Sequence, residues 1–178
     1  MKNKILFILV VLICMSATSV FGALPAYMWV EGPDGLLECS VQTSGKENSI
    51  EVIEFSHEIH LPYDHETGQI TGSRRISAFS TVKEFDKCSP TLYQYLCQGT
   101  QIPTIEIKWY RIGGGGLEEH YFTIFLENVR LVSIKPWMLN TDDPVNAVFG
   151  HMEEVRFLAE TITWTWEPDG ITYTEVNY

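Results

Sequence analysis

Ser49-Ile50-Glu51-Val52-Ile53-Glu54-Phe55-Ser56-His57-Glu58-Ile59 is the stretch on which the fold turns. Ile50 and Val52 alternate with Glu51, the period-two pattern of a strand with one face buried. The alternation then slips: Ile53 and Phe55 fall on the opposite phase. A slip of one residue turns every following side chain to the other face, so the slip implies a bulge or a change of packing partner midway. Working outward, residues 26–30, 76–85, 104–112, 119–126, 129–134, 152–160, 162–167 and 171–176 also carry β-branched and aromatic residues between Gly, Pro, Asn and Asp clusters. One short helix is marked by Ser89 as a cap, Pro90 in the first turn, an apolar face of Leu92, Tyr93 and Leu96, and Gly99 as a stop. Many antiparallel strands with a single helix specify a mainly β sandwich or barrel with the helix on one side or at one end.

The connections differ in character. Gly113 to Gly116 lie between two strand-like runs and read as a flexible hairpin tip. They lack the strand-to-helix setting of a phosphate loop. Residues 62–75 and 136–150 are too long for tight turns, and long loops in a small β domain tend to carry function. For residues 62–75 the choice lies between a surface insertion and an arm that meets a neighbouring subunit.

At the N-terminus, Lys2 and Lys4 precede an apolar run from Ile5 to Met15, with Val20-Phe21-Gly22 following. This is the plan of a secretory signal, expected to be cleaved before Ala23. The run of about 11 residues is too short to cross roughly 30 Å of hydrocarbon. Val11-Leu12-Ile13 before Cys14 are not the small residues of a lipid-attachment site. Residues 23–178 then form one domain. Loss of Lys2 and Lys4, the only charged residues in the first 22, takes the net charge from −11 to −13. Such a charge repels nucleic-acid backbones and anionic lipid. It also repels other copies of the chain, so self-association requires apolar or hydrogen-bonded contact, and salt assists by screening.

The mature chain keeps Cys39, Cys88 and Cys97, an odd number, so at least one is unpaired or pairs between chains. Cys88 and Cys97, at the two ends of the helix, stand roughly 13 Å apart at 1.5 Å per residue, beyond bridging range. A bridge from Cys39 to either remains open.

The search for chemistry yields three constellations. His57, His60 and His65 suggest a metal, but a spacing of three on a strand puts His57 and His60 on opposite faces. The carboxylate pairs Glu118-Glu119, Asp142-Asp143 and Glu153-Glu154 have the composition of a glycosidase centre, yet an acidic chain produces such neighbours by chance. No serine or cysteine lies in a nucleophile motif. No catalytic, cofactor or metal residue is assigned. Trp164 and Trp166 share one face of a strand, as core, as subunit contact, or as the platform of an exported carbohydrate-binding sandwich.

Six segments in order give a sharper reading: Pro25-Ala26-Tyr27-Met28-Trp29-Val30, Ser49 to His57, Thr67-Gly68-Gln69-Ile70-Thr71-Gly72-Ser73-Arg74, Ser89-Pro90-Thr91-Leu92-Tyr93, Ile105-Glu106-Ile107-Lys108-Trp109-Tyr110-Arg111 and Ile162-Thr163-Trp164-Thr165-Trp166. Together they resemble the haemolysin-coregulated protein family of type VI secretion systems across residues 24–175. The resemblance implies a small β-barrel of two packed antiparallel sheets with one flanking α-helix and no active site. It further implies six-membered rings stacked into a secreted tube, with a spike protein, a contractile sheath and small effector cargo as partners. Residues 62–75 become an inter-subunit arm. The chain departs from the family at residues 1–22, since members usually begin near Pro25-Ala26-Tyr27 and carry no cleavable signal. Export by way of the periplasm is the expectation from that segment.

Overall fold

The structure, a computed structural model, describes residues 24–148 and 150–177; the expected signal, residues 1–22, lies outside the described residues. In chain order come β1 (Ala26–Gly32), β2 (Gly35–Leu36), β3 (Ile50–Val52), β4 (Glu54–Ser56), β5 (Ile59–His60), β6 (Arg75–Ile76) and β7 (Phe79–Glu84). After these come α1 (Ser89–Gln98), β8 (Gln101–Ile112), β9 (Glu118–Trp137), a 3-10 turn (Pro144–Val148), β10 (Met152–Leu158), β11 (Thr161–Trp166) and β12 (Ile171–Val176). The described pairings are antiparallel.

The slip at Ile53 is a change of partner. Ile50–Val52 pairs with β1, whereas Glu54–Ser56 pairs with β7. Between them the Ile53 N–H donates to the Val82 carbonyl at 2.8 Å. Ile50 and Val52 are buried while Ile53 is half exposed, so Ile53 and Glu54 both face outward and Phe55 turns back toward the core. The sheet runs β1-β8-β9-β10-β7-β4, and β4 leads through Ile53 back to β3 on β1. The chain therefore closes its circuit through one bent strand, although the hydrogen-bond ladder changes sides at Ile53.

Two strands expected over 119–126 and 129–134 are one. β9 runs unbroken for 20 residues, with β8 along one edge. Along the other edge, residues 122–127 carry β11 and residues 130–137 carry β10. The switch falls at Asn128, which adopts φ 54°. Asparagine tolerates this left-handed conformation better than most residues, so what reads as a break is a kink within a continuous strand. The two halves of β9 belong to different parts of the sheet, and the core lies between them. Met28, Ile107 and Leu126 meet Phe79, Val155 and Phe157 in one buried cluster.

The helix is where the sequence places it, with Leu92 and Tyr95 buried and Gly99 in the left-handed conformation at its end. The Gly99 N–H donates to Leu96 O at 3.2 Å and that of Thr100 to Tyr95 O at 2.9 Å. Ser89 is not the cap. Cys88 occupies that position without side-chain capping; Asp86 Oδ1 accepts the Cys88 N–H instead, at 3.0 Å. Of the two partners open to Cys39, Cys88 is the one bonded, with Cα atoms 5.1 Å apart, and Cys97 is free and exposed. A bridge closing 49 residues stabilises by about 4 kcal/mol in the chain-entropy picture. Gly113–Gly116 form the β8–β9 tip as expected, with Gly116 at φ 74°.

Because Ile53 contributes backbone rather than side chain, Ile53→Pro should cost about 3 kcal/mol or more by removing the N–H that hands the strand to β7. Ile53→Thr should stay within about 0.5 kcal/mol. Urea unfolding midpoints compare the two, and equal effects would contradict this role for Ile53.

Candidate assembly surfaces and enclosed polar clusters

Residues 59–76 fold back on themselves as an arm. Ile59 pairs with Ile76 and His60 with Arg75, and an isolated bridge joins Tyr63 to Ile70 farther out. Beyond that bridge the chain reverses: Asp64 Oδ1 accepts the N–H groups of Glu66 and Thr67, both at 2.8 Å, and Gly68 supplies φ 72°. Those donors hold the Asp64 carboxyl below its ordinary pKa. The long connection is thus an ordered hairpin. Ile59, Leu61, Tyr63 and Ile70 are all exposed along it, Ile70 at 65%. Four large apolar side chains on one protruding hairpin are more than isolated surface residues and mark a contact surface.

The arm leans on the β11–β12 hairpin. Arg74 donates to the Glu175 carboxylate and, at 2.8 Å, to the Val176 carbonyl. Ile59 and Ile76 line a hollow of about 370 Å³ together with Trp164 and Tyr173. Trp164 stacks on Tyr173 with ring centres 6.0 Å apart and packs against the core. Trp166 meets the Tyr121 ring edge-on, lies under the Arg111 guanidinium at 5.1 Å, and donates to Asp169 at 3.0 Å. Among the described residues β12 pairs with β11 alone, leaving Ile171 and Tyr173 exposed on a sheet edge.

The sequence-derived catalytic and metal candidates are dispersed. His57 stacks flat on Phe79 at 3.7 Å, and burial holds its imidazole below the usual histidine range. His60 lies 3.6 Å from Glu58, and His65 packs on Tyr63. Among the described residues, the one trio of close His, Cys, Asp or Glu donors is Cys39, Asp86 and Cys88. Its two sulfurs are bonded to each other and offer no thiolate. The carboxylate pairs also come apart. Glu118 takes Lys46 at 2.6 Å and Glu119 takes Arg111 at 2.5 Å. Glu153 points into the core while Glu154 accepts from Ser80 on the other face. Asp143 is used within its own loop, accepting the Val145 N–H at 3.0 Å.

Two lysines hold buried clusters that pattern reading missed. Lys46, 5% exposed, sits between the Tyr27 and Tyr110 rings at 4.5 and 4.2 Å from their centres. The rings' negative faces and Glu118 compensate its lost hydration. Burial, opposed by Lys46, pushes the Tyr27 phenol up. Lys83 and Glu153 are both fully buried, 2.8 Å apart. Ser89 links them, at 3.1 Å from Lys83 Nζ and 2.7 Å from Glu153 Oε1. A serine beside a lysine is the pairing of some acyl-transfer enzymes, but this one is sealed from substrate. Removing one partner of a buried pair costs about 3–5 kcal/mol, whereas replacing both with apolar residues of similar volume is often neutral. Lys83→Met should therefore be strongly destabilising in denaturant unfolding, and Lys83→Met with Glu153→Leu should recover most of the loss. A double variant as unstable as the single would contradict a purely ionic role.

Comparison with known proteins agrees with this architecture. A family model described as type VI secretion system effector, Hcp, matches residues 27–166. The major exported protein of Pseudomonas aeruginosa is 40% identical over 158 residues, covering 83% of this chain and 92% of that protein. Among solved structures, a mutant form of the Hcp1 protein from E. coli EAEC 042 superposes with a TM-score of 0.78 at 34% identity, over 88% of this chain and 100% of that one. The secreted protein Hcp3 from Pseudomonas aeruginosa gives 0.70 at 32% identity, over 86% and 98%. With the matched region spanning the core, the helix, the arm and the β11 aromatics, the chain belongs to the Hcp family of type VI secretion proteins.

Proposed function

We propose that the chain is a structural tube subunit without catalytic activity. Copies close head to tail into six-membered rings, the rings stack into an inner tube, and small effectors travel in its lumen. A spike protein and a contractile sheath are the remaining partners. The observation that carries this reading is the arm, an ordered hairpin with Ile59, Leu61, Tyr63 and Ile70 exposed beside an open sheet edge at β12. A projecting hairpin that meets a different surface of the next copy makes a heterologous contact, which closes into a ring when its rotation divides a full turn. Family membership supports the same assembly. Residues 1–22 direct the chain out of the cytoplasm and are removed before Ala23 in this account.

The alternative, an exported carbohydrate-binding module, is less well supported. A sugar platform needs an uncovered aromatic face. Trp164 is covered by Tyr173, and Trp166 by Arg111.

Sedimentation of the mature protein should give a species of six times the monomer mass. Its share should rise with salt, because screening offsets the repulsion of chains with a large negative charge. Tyr63→Asp with Ile70→Asp should leave the circular dichroism unchanged and shift the equilibrium to monomer. A wild-type protein that stays monomeric across a wide range of concentration and salt would contradict the reading.

A further inference from the structure

The Cys39–Cys88 bridge sits at the seam where the sheet closes. Cys39 lies in the irregular connection that delivers the closing strand Ile50–Ser56, and Cys88 follows directly on the turn that leaves β7, the strand receiving its second half. The non-covalent closure is short on each side, three paired residues to β1 and three to β7. The connection itself is held by turn bonds, by the Ser40 hydroxyl, which accepts the Lys87 N–H at 3.2 Å, by Trp29 Nε1 donating to the Glu47 carbonyl at 3.1 Å, and by Lys46 on Glu118; the bridge is its one covalent tie among the described residues. Both sulfurs are buried, Cys39 at 0% and Cys88 at 3% exposure. Cys97 stands on the exposed side of α1 and is free, so it does not compete for the pair within the folded chain.

The seam and the N-terminal segment make opposite demands. A chain sent through a secretory channel has to cross unfolded, whereas a tube subunit has to be a finished body. Resting on the proposed export, we infer that the Cys39–Cys88 bridge is a lock formed after export, which completes the closure of the sheet only once the chain has left the reducing cytosol. Reducing compartments keep the two thiols apart. There the closing strand has its two short ladders, the Ile53 link and the Lys46 contacts but no covalent tie, and the chain remains available for translocation. Outside, the Cys39 and Cys88 S–H bonds break and one S–S bond forms. The two electrons pass to the disulfide of a thiol-disulfide oxidoreductase, which takes up the two protons as a dithiol.

One mass measurement on the protein from its native source, denatured and treated with a thiol-alkylating reagent, reads both the export and the lock. The expected exported form starts at Ala23 and takes one alkyl group, on Cys97. The cytosolic precursor starts at Met1 and takes four, on Cys14, Cys39, Cys88 and Cys97. An Ala23 form that takes three alkyl groups overturns the lock and leaves export standing. A Met1 form with all thiols free in every cell fraction overturns both. On purified exported protein, dithiothreitol should lower the melting temperature by about 10 °C, given the loop the bridge closes. It should also open residues 37–49 to protease. Unchanged melting and protease resistance after full reduction overturn the lock, and this holds even where Cys39→Ser with Cys88→Ser fails to fold. Oxidised protein that melts as predicted but remains monomeric supports the lock and contradicts the ring reading alone.

Discussion

A curled antiparallel sheet has two edges, and the fold depends on one strand serving both. Ile50–Val52 completes the edge at β1 and Glu54–Ser56 the edge at β7, with the Ile53 N–H as the link between them. The backbone of an edge strand left open invites pairing with other chains; shared in this way, those edges are satisfied within the molecule. The same strand also launches the arm, since His57 lies against Phe79 at its end and β5 follows at once. Closure and projection are thus consecutive features of one stretch. Among the described residues, β12 is an edge left available, beside the root of the arm.

Charge is distributed with the same economy. A chain with 23 acidic and 12 basic residues buries two of its lysines, Lys46 and Lys83, each against a carboxylate. Burying such pairs gains little net stability, because desolvation offsets most of the attraction. What they provide is position: Lys46 pins the connection before β3 onto Tyr27 and Tyr110, and Lys83 with Ser89 fixes the start of α1 against β10. Both clusters border the seam. The bridge between Cys39 and Cys88 adds a covalent tie to the same region.

Features set by local chemistry were legible in the sequence. The slip of phase at Ile53, Pro90 and Gly99 around the helix, and the glycine tip at 113–116 each follow from residues close in the chain, and each is present. Features set by distant partners were not. Asn128 reads as a break because asparagine favours turns, and only the pairing of β8 with residues on both sides of it, from Glu118 to Arg130, carries β9 through. Ser89 has the composition of a cap, but its hydroxyl is claimed by Lys83 and Glu153, the latter 64 residues away. Lys46 and Glu118 lie 72 residues apart, and no periodicity connects them. The choice of Cys88 over Cys97 likewise depends on where the connection before β3 comes to rest. Of the candidate assembly surface, the arm was legible as a long loop in family context, while its internal pairing and exposed apolar side chains required the structure.

The central claim is that a closed β body presents an ordered arm as its means of assembly. Amide hydrogen exchange in rings and in dissociated subunits tests it most directly, because exchange reports contact residue by residue. The account predicts that residues 59–76 gain protection on assembly while residues 50–56 are equally protected in both states. Rings in which the arm exchanges as fast as in the free subunit would contradict it.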